Sequence, residues 1–140
     1  MTEVFVDTGY HVALIDVRDR LHSAAIERGQ ALWSARATFV TTESVLIEFL
    51  TYLSGGGAYM RAAAFEYVVD LRESSEFVVL PHTSELFDAA LDLYRARPDK
   101  SYSMTDCISM VVCRERGITD VLTYDRDFEQ EGFVAMLRRA

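Results

Sequence analysis

Four carboxylates stand where a fold could aim them at one point. In VFVDTG, Val4, Phe5 and Val6 form a β-branched and aromatic run that reads as a short buried strand, and the run ends on Asp7. Thr8 and Gly9 follow, and the glycine lets the backbone turn at once. A later apolar strand, Val121-Leu122-Thr123, gives way in the same manner to Tyr124-Asp125, with Asp127 two residues on. Asp106 lies in SMTDCISM, three residues after Ser103, the spacing of a helix-start hydroxyl and a first-turn acid. It therefore has two readings: a cap for its own helix, or a carboxylate held ionised at a helix N-terminus beside a metal or phosphate. The fourth is Glu48, roughly 130° round its helix from the centre of the stripe Val45, Leu46, Phe49, Leu50 and Leu53, at the margin of the buried face.

Carboxylates gathered without cations repel one another and resist ionisation. A divalent cation resolves the conflict. Mg²⁺ and Mn²⁺ prefer carboxylate oxygen and water, and they complete their shells with substrate phosphates. The three histidines, His11, His22 and His82, show no ligand spacing and read as exposed or capping residues, so the set does not favour zinc. The chemistry best served is phosphodiester hydrolysis, in which one cation acidifies water and a second, about 4 Å away, steadies the leaving oxygen. The four acids would account for half of the net charge of −8, so a negative chain could still take a polyanion through its cations.

The elements that must position these groups alternate along the chain. Residues 3 to 6 form a first strand, and one or two short helices occupy about 10 to 36, with Gly29 a weak spot. TFVTT around Phe39 and Val40 is a second strand, and Ser44 to Leu53 a helix broken by Ser54-Gly55-Gly56-Gly57. That glycine run is a connection rather than a phosphate cradle, since Ala58-Tyr59 stands where lysine and a hydroxyl would be needed. A helix over about 58 to 72 and a strand over Phe77 to Pro81 come next. Leu86, Ala90, Leu93 and the stem of Arg97 mark another helix, and Ser103 to Arg116 a further one closed by Gly117. A fourth strand covers 121 to 123, with a weaker fifth around Phe133 to Met136. This alternation implies βαβ units and a mostly parallel sheet of four or five strands with helices on both faces. In such sheets ligands bind outside the carboxyl ends of the strands, where Asp7 and Asp125 stand.

Composition bounds the possibilities. At 140 residues, 50% apolar and 26% charged, the chain has the size of one domain, taken as 1–140, with a real core. The start Met1-Thr2-Glu3 lacks the positive segment of a signal peptide, and no apolar run approaches the roughly 18 residues that cross a bilayer, which fits a cytoplasmic protein. Cys107 and Cys113 fall about 240° apart on one helix, so they cannot bridge each other and read as core residues of a reducing compartment. The net charge argues against a broad basic footprint for duplex nucleic acid. Lys100 is the sole lysine; the remaining cations are arginines, suited to bidentate phosphate contacts. Arg126, beside Asp125, reads as a surface arginine within reach of a phosphate.

Taken in order, VFVDTG, TTESVLIEFL, RPDKSYSMTDCISM, GITDVLTYDRDF and EGF resemble the PIN-domain ribonucleases, and within them the VapC-type toxins of bacterial toxin–antitoxin pairs. The likeness spans nearly the whole chain and rests on order and spacing: an acid after the first strand, a glutamate inside the second helical block, S-x-T-D opening a late helix and T-x-D-x-x-F after the next strand. It implies a three-layer α/β/α sandwich and a Mg²⁺- or Mn²⁺-dependent endoribonuclease. By motif, Asp7, Glu48, Asp106 and Asp125 correspond to the family's metal-binding acids, Thr8, Ser103 and Thr105 to hydroxyls that orient water or phosphate, and Asp127 to an assisting acid. It also implies an RNA substrate, in tRNA or rRNA, an antitoxin whose C-terminal segment lies over the cleft, a homodimer and no membrane partner. Two other readings compete. An aspartyl-phosphate enzyme or receiver-like domain would want a second acid two residues after Asp7, where Gly9 stands. A non-catalytic PIN-like binding or regulatory module is disfavoured by the presence of all four acids.

Overall fold

A computed structural model describes residues 2–139. The elements run β1 (Glu3–Val6), α1 (Thr8–Ile15), α2 (His22–Ser34), β2 (Thr38–Thr42), α3 (Glu43–Leu53), α4 (Ala58–Glu73), β3 (Phe77–Leu80), α5 (Ser84–Ala96), α6 (Met104–Arg116), β4 (Asp120–Leu122), α7 (Arg126–Gln130) and β5 (Val134–Ala135), followed by a 3-10 turn over Met136–Arg139. The five strands lie in the order β3-β2-β1-β4-β5, and every pairing is parallel.

β1 is central, which explains its uninterrupted apolar run: a strand covered on both faces has no polar side. Its residues then divide by the two-residue period of a strand. Phe5 packs with Val40, Ile108, Met110 and Val121 on the face covered by α5 and α6, while Val4 and Val6 pack with Tyr10, Ala25, Phe39 and Leu122 on the face covered by α1 and α2. This is the three-layer α/β/α arrangement expected from the alternation of elements. The chain builds outward from β1 to β2 and β3, then returns through α5 and α6 to place β4 on the other side of β1. Strand order therefore reverses at β1, and the crevice at the carboxyl ends of β1 and β4 is the place where such folds bind ligands.

Local signals hold at several joints. Thr42 caps α3 by accepting the Val45 N–H at 3.1 Å, and Gly117 closes α6 with a φ of 70°, the left-handed conformation that favours glycine. Cys107 and Cys113 are both free and buried on α6. Four features differ from the sequence reading. Gly29 is not a weak spot: it lies inside α2, where a Cβ would collide with the Tyr10 hydroxyl, so its bareness lets α1 and α2 approach. Leu50, expected in the buried stripe of α3, is 38% exposed, and Ile47 beside it is 61% exposed. His11, expected at the surface or in a cap, is fully buried, its Nδ1 paired with the Tyr67 hydroxyl at 2.6 Å and its Nε2 with Thr41 Oγ1 at 3.2 Å. Burial drives its pKa down to about 3, so the ring is neutral. Finally, α7 forms directly after Asp125; five residues are too few to show a helical period. No described helix is long and apolar enough to cross a membrane.

Candidate metal centre

Asp7 leaves β1 and enters α1 as its N-cap in extended geometry, with its N–H still bonded to the Leu122 carbonyl of β4 at 3.3 Å. β1 and β4 are thus held together up to the residue that carries the acid. Thr123 completes the link: its hydroxyl donates to Asp7 Oδ2 at 2.8 Å and its oxygen accepts the Asp125 N–H at 3.0 Å. One threonine fixes the carboxylate of the first strand and the backbone of the second acid. The sequence reading assigned Thr123 no role, although it is the threonine of the T-x-D motif.

Asp106 arrives from the opposite layer. The capping reading of its position describes its geometry: Ser103 Oγ accepts the Asp106 N–H, and Asp106 Oδ2 accepts the Ser103 N–H, each at 3.0 Å, a reciprocal cap. The cap engages Oδ2, and the residue also lines the cavity that contains Asp7, Glu48 and Asp125. Glu48 reaches that cavity from the half-buried margin of α3, and the Thr8 hydroxyl at the start of α1 donates to its Oε1 at 2.6 Å. Asp125 caps α7 by accepting the Asp127 N–H at 2.9 Å. The turn this creates brings Asp127 beside its neighbours: one oxygen each from Asp106, Asp125 and Asp127 lie within 4.8 Å of one another, a spacing that one cation could span. Asp7 and Glu48 line the same cavity but are not members of that triplet. Ser103 is exposed and occupied as a cap, and Thr105 is half-buried in the first turn of α6.

The cavity measures about 350 Å³. A larger one of about 750 Å³ between α2 and α4, lined by Tyr10, Trp33, Phe39, Tyr67 and Phe77, contains none of the five acids and is apolar. The electrostatics mark the smaller cavity as the chemical one. Burial, then the charge of Asp106, pushes the Asp7 carboxyl up to about 7, against the hydrogen bond from Thr123. Burial also raises Asp106 to about 6, with the charges of Asp125 and Glu48 adding to it and the bonds from Ser103 opposing it. Asp127 is raised by burial and by Asp125. No cationic side chain is among the groups that act on Asp7 and Asp106, the situation a hard divalent cation relieves. The donor set therefore fits Mg²⁺ or Mn²⁺: oxygen ligands only, several carboxylates, and a cavity open to a phosphate.

One acid near the site, the glutamate of EGF, has the opposite surroundings, and the sequence reading gave it no role. The Glu131 side chain accepts from Arg97 Nε at 2.8 Å, Arg97 Nη2 at 3.2 Å, Arg114 Nη2 at 2.7 Å and the Tyr102 hydroxyl at 2.9 Å. It ties the end of α5 and the loop leading to Ser103 against α6.

An all-parallel sheet under helices on both faces, with acids converging at the carboxyl ends of its two central strands, defines a PIN domain. The chain matches the PIN domain family over residues 4–133 and belongs to it. Within the family it is similar to the 23S rRNA-specific endonuclease VapC20 of Mycobacterium tuberculosis, found alike in strains CDC 1551 and H37Rv, with 32% identity over 135 residues that cover 94% of this chain and 95% of the relative. The crystal structure of M. tuberculosis VapC20, described as a sarcin–ricin loop cleaving toxin, superposes with a TM-score of 0.81 at 28% identity, covering 94% of this chain and 97% of that one. The resemblance read from the motifs, to PIN domains and to their VapC-type members, holds.

Proposed function

We propose that the protein is a divalent-metal-dependent endoribonuclease, the toxin of a toxin–antitoxin pair, built as a single PIN-like domain over 1–140. The observation that supports this reading most is the convergence of Asp7, Glu48, Asp106 and Asp125 on one cavity at the carboxyl edge of a parallel sheet, with Asp7 and Asp106 raised toward neutrality by burial and by the neighbouring acids. Asp7, Asp106, Asp125 and Glu48 would hold Mg²⁺ or Mn²⁺, and Asp127, grouped with Asp106 and Asp125, would join them. When bound, the cation supplies neutralising charge for the phosphodiester and acidifies water.

The residues of the chain itself set the geometry. Thr123 holds Asp7 and the backbone of Asp125, Thr8 holds Glu48, and the Ser103 cap fixes the rotamer of Asp106, so the carboxylates are oriented before substrate arrives. The likeness to VapC20 favours rRNA over tRNA as the substrate. VapC-type membership favours an antitoxin partner, a second copy of the chain as dimer partner, and action in the cytoplasm, where both RNA classes are found.

The test is cleavage of end-labelled total RNA by purified protein in Mg²⁺, in Mn²⁺ and in EDTA, beside Asp7→Asn and Asp106→Asn variants of matched folding. Discrete fragments with metal that vanish in EDTA and in both variants are expected, and their ends identify the target. Folded wild type that cuts no RNA with either metal would remove intrinsic nuclease activity.

A further inference from the structure

The acids explain how a cation is held but not how a chain of net charge −8 draws in RNA. Most of its described cations are already neutralised by a carboxylate: Arg97 and Arg114 by Glu131, Arg116 by Glu3, Arg72 by Glu43 and Arg18 by Asp16. One cluster of arginines, of which Arg20 and Arg126 have no such partner, stands at the rim of the metal cavity. Tyr124 lines that cavity and immediately precedes Asp125. The guanidinium carbons of Arg20 and Arg138 each lie 4.5 Å from the centroid of its ring, and Arg126 follows Asp125 on the exposed first turn of α7. Among the described residues neither Arg20 nor Arg126 has a carboxylate at ion-pair distance. Arg138 has Glu129 at 3.4 Å and anchors itself by donating from Nη1 to the Tyr124 carbonyl at 3.0 Å.

Stacking on an aromatic face restrains a guanidinium without consuming the N–H donors along its edge, and those donors form the fork that matches phosphate oxygens. Arg20 is thus restrained and exposed, with no carboxylate at ion-pair distance, stacked on the residue next to a proposed metal ligand. We propose that Arg20, Tyr124 and Arg138, with Arg126, form a subsite for the RNA backbone, holding a phosphate next to the scissile one beside the acidic cavity. The inference rests on the ribonuclease reading and deepens it: the acids carry the cation, and this rim carries the neighbouring phosphate. Phosphate contacts of this kind set position on the chain without reading sequence. The ring of Tyr124 is the platform, so Tyr124→Ser loses the subsite.

The experiment is fluorescence anisotropy of a labelled single-stranded RNA oligonucleotide with the full chain in Mg²⁺ across a series of KCl concentrations, paired with cleavage kinetics. Wild type is compared with Arg20→Gln, Arg138→Gln, Tyr124→Ser, and Arg95→Gln on exposed α5 as a control outside the site. The expected result is binding roughly three- to tenfold weaker for Arg20→Gln, with the slope of log K against log salt reduced by about 0.7, the value for one phosphate that is no longer neutralised. KM should rise with kcat little changed, Tyr124→Ser should follow Arg20→Gln, and Arg95→Gln should match wild type. Wild-type affinity and slope in both Arg20→Gln and Tyr124→Ser, with cleavage intact, would overturn the subsite and leave the nuclease standing. RNA that binds through the rim but is never cut would do the reverse. A wild type that neither binds nor cuts would overturn both.

Discussion

Glu131 and Asp7 are both carboxylates largely withdrawn from water, Asp7 the more deeply, and their surroundings are opposite. Arg97 comes first among the groups that hold Glu131 well below the ordinary range, at about 2, with Arg114 and Tyr102 adding to it. At Asp7 burial comes first and the neighbouring acids add to it, against the Thr123 hydroxyl, and the carboxyl rises to about 7. Burial penalises both charges, Asp7 the more strongly, and only at Glu131 does the fold supply cations against it. At Glu131 the chain neutralises its own acid, and the result is a clamp between α5, α6 and the loop that precedes Asp106. At the carboxyl edge it leaves the acids unmatched, an arrangement that lowers the stability of the metal-free protein and is resolved only by a ligand from outside. Unmatched buried charge in a cavity therefore marks the site, and matched buried charge marks the scaffold.

The largest effect that can break this comparison is on catalysis. Asp106→Asn or Asp125→Asn should lower RNA cleavage by more than about a hundredfold while far-UV circular dichroism is unchanged, because each removes a ligand charge. Equal loss in Glu131→Gln would erase the distinction between site and scaffold.

Second comes the clamp. Glu131→Ala leaves Arg97 and Arg114 without their shared partner and should cost about 2 kcal/mol in denaturant unfolding, below the usual figure for a buried pair because both arginines are partly exposed. Its folded pKa lies below the unfolded value, so this stability is present above pH 4.5 and lost as pH falls toward 2; the Ala variant should lack that segment of the acid-unfolding curve.

Asp7 has the opposite sign. Its folded pKa lies above the unfolded one, so the metal-free protein loses stability as pH rises from about 4 to 7. Asp7→Asn keeps an oxygen for Thr123 and should stabilise the metal-free protein at pH 8 by roughly 1–2 kcal/mol, read as a higher Tm. The same variant should lose the gain that Mg²⁺ gives wild type.

The smallest effect belongs to an acid nearer the surface. Glu3 is held below the ordinary range by its hydrogen bonds from Arg116, with side chains 29% and 32% exposed, and Arg116→Ala should cost no more than about 0.5 kcal/mol. A cost matching that of Glu131→Ala would mean that burial does not set the value of these pairs.

Much of the site was legible because a simple rule connects sequence to space: acids that follow strands of one parallel sheet meet at its carboxyl edge. Asp7 and Asp125 obey it, and Asp106 was marked by its spacing from Ser103. What escaped were contacts with no sequence period. Glu131 meets Arg97, Tyr102 and Arg114 across 34, 29 and 17 residues, and Thr123 meets Asp7 across 116. Arg20, Tyr124 and Arg138 are scattered likewise. His11 gave no sign of burial because its partners, Thr41 and Tyr67, come from β2 and α4. The closeness of Asp127 to Asp106 depended on α7, whose five residues leave no helical signature.

The central claim is that these acids bind a divalent cation together. A titration of Mn²⁺ into the protein, followed by the electron paramagnetic resonance signal of the free ion, tests it without any substrate. Wild type should deplete the free signal, Mg²⁺ should restore it by competition, and Asp106→Asn and Asp125→Asn should each fail to deplete it at the same concentrations. Undiminished binding in both variants, or none by folded wild type, would contradict the account.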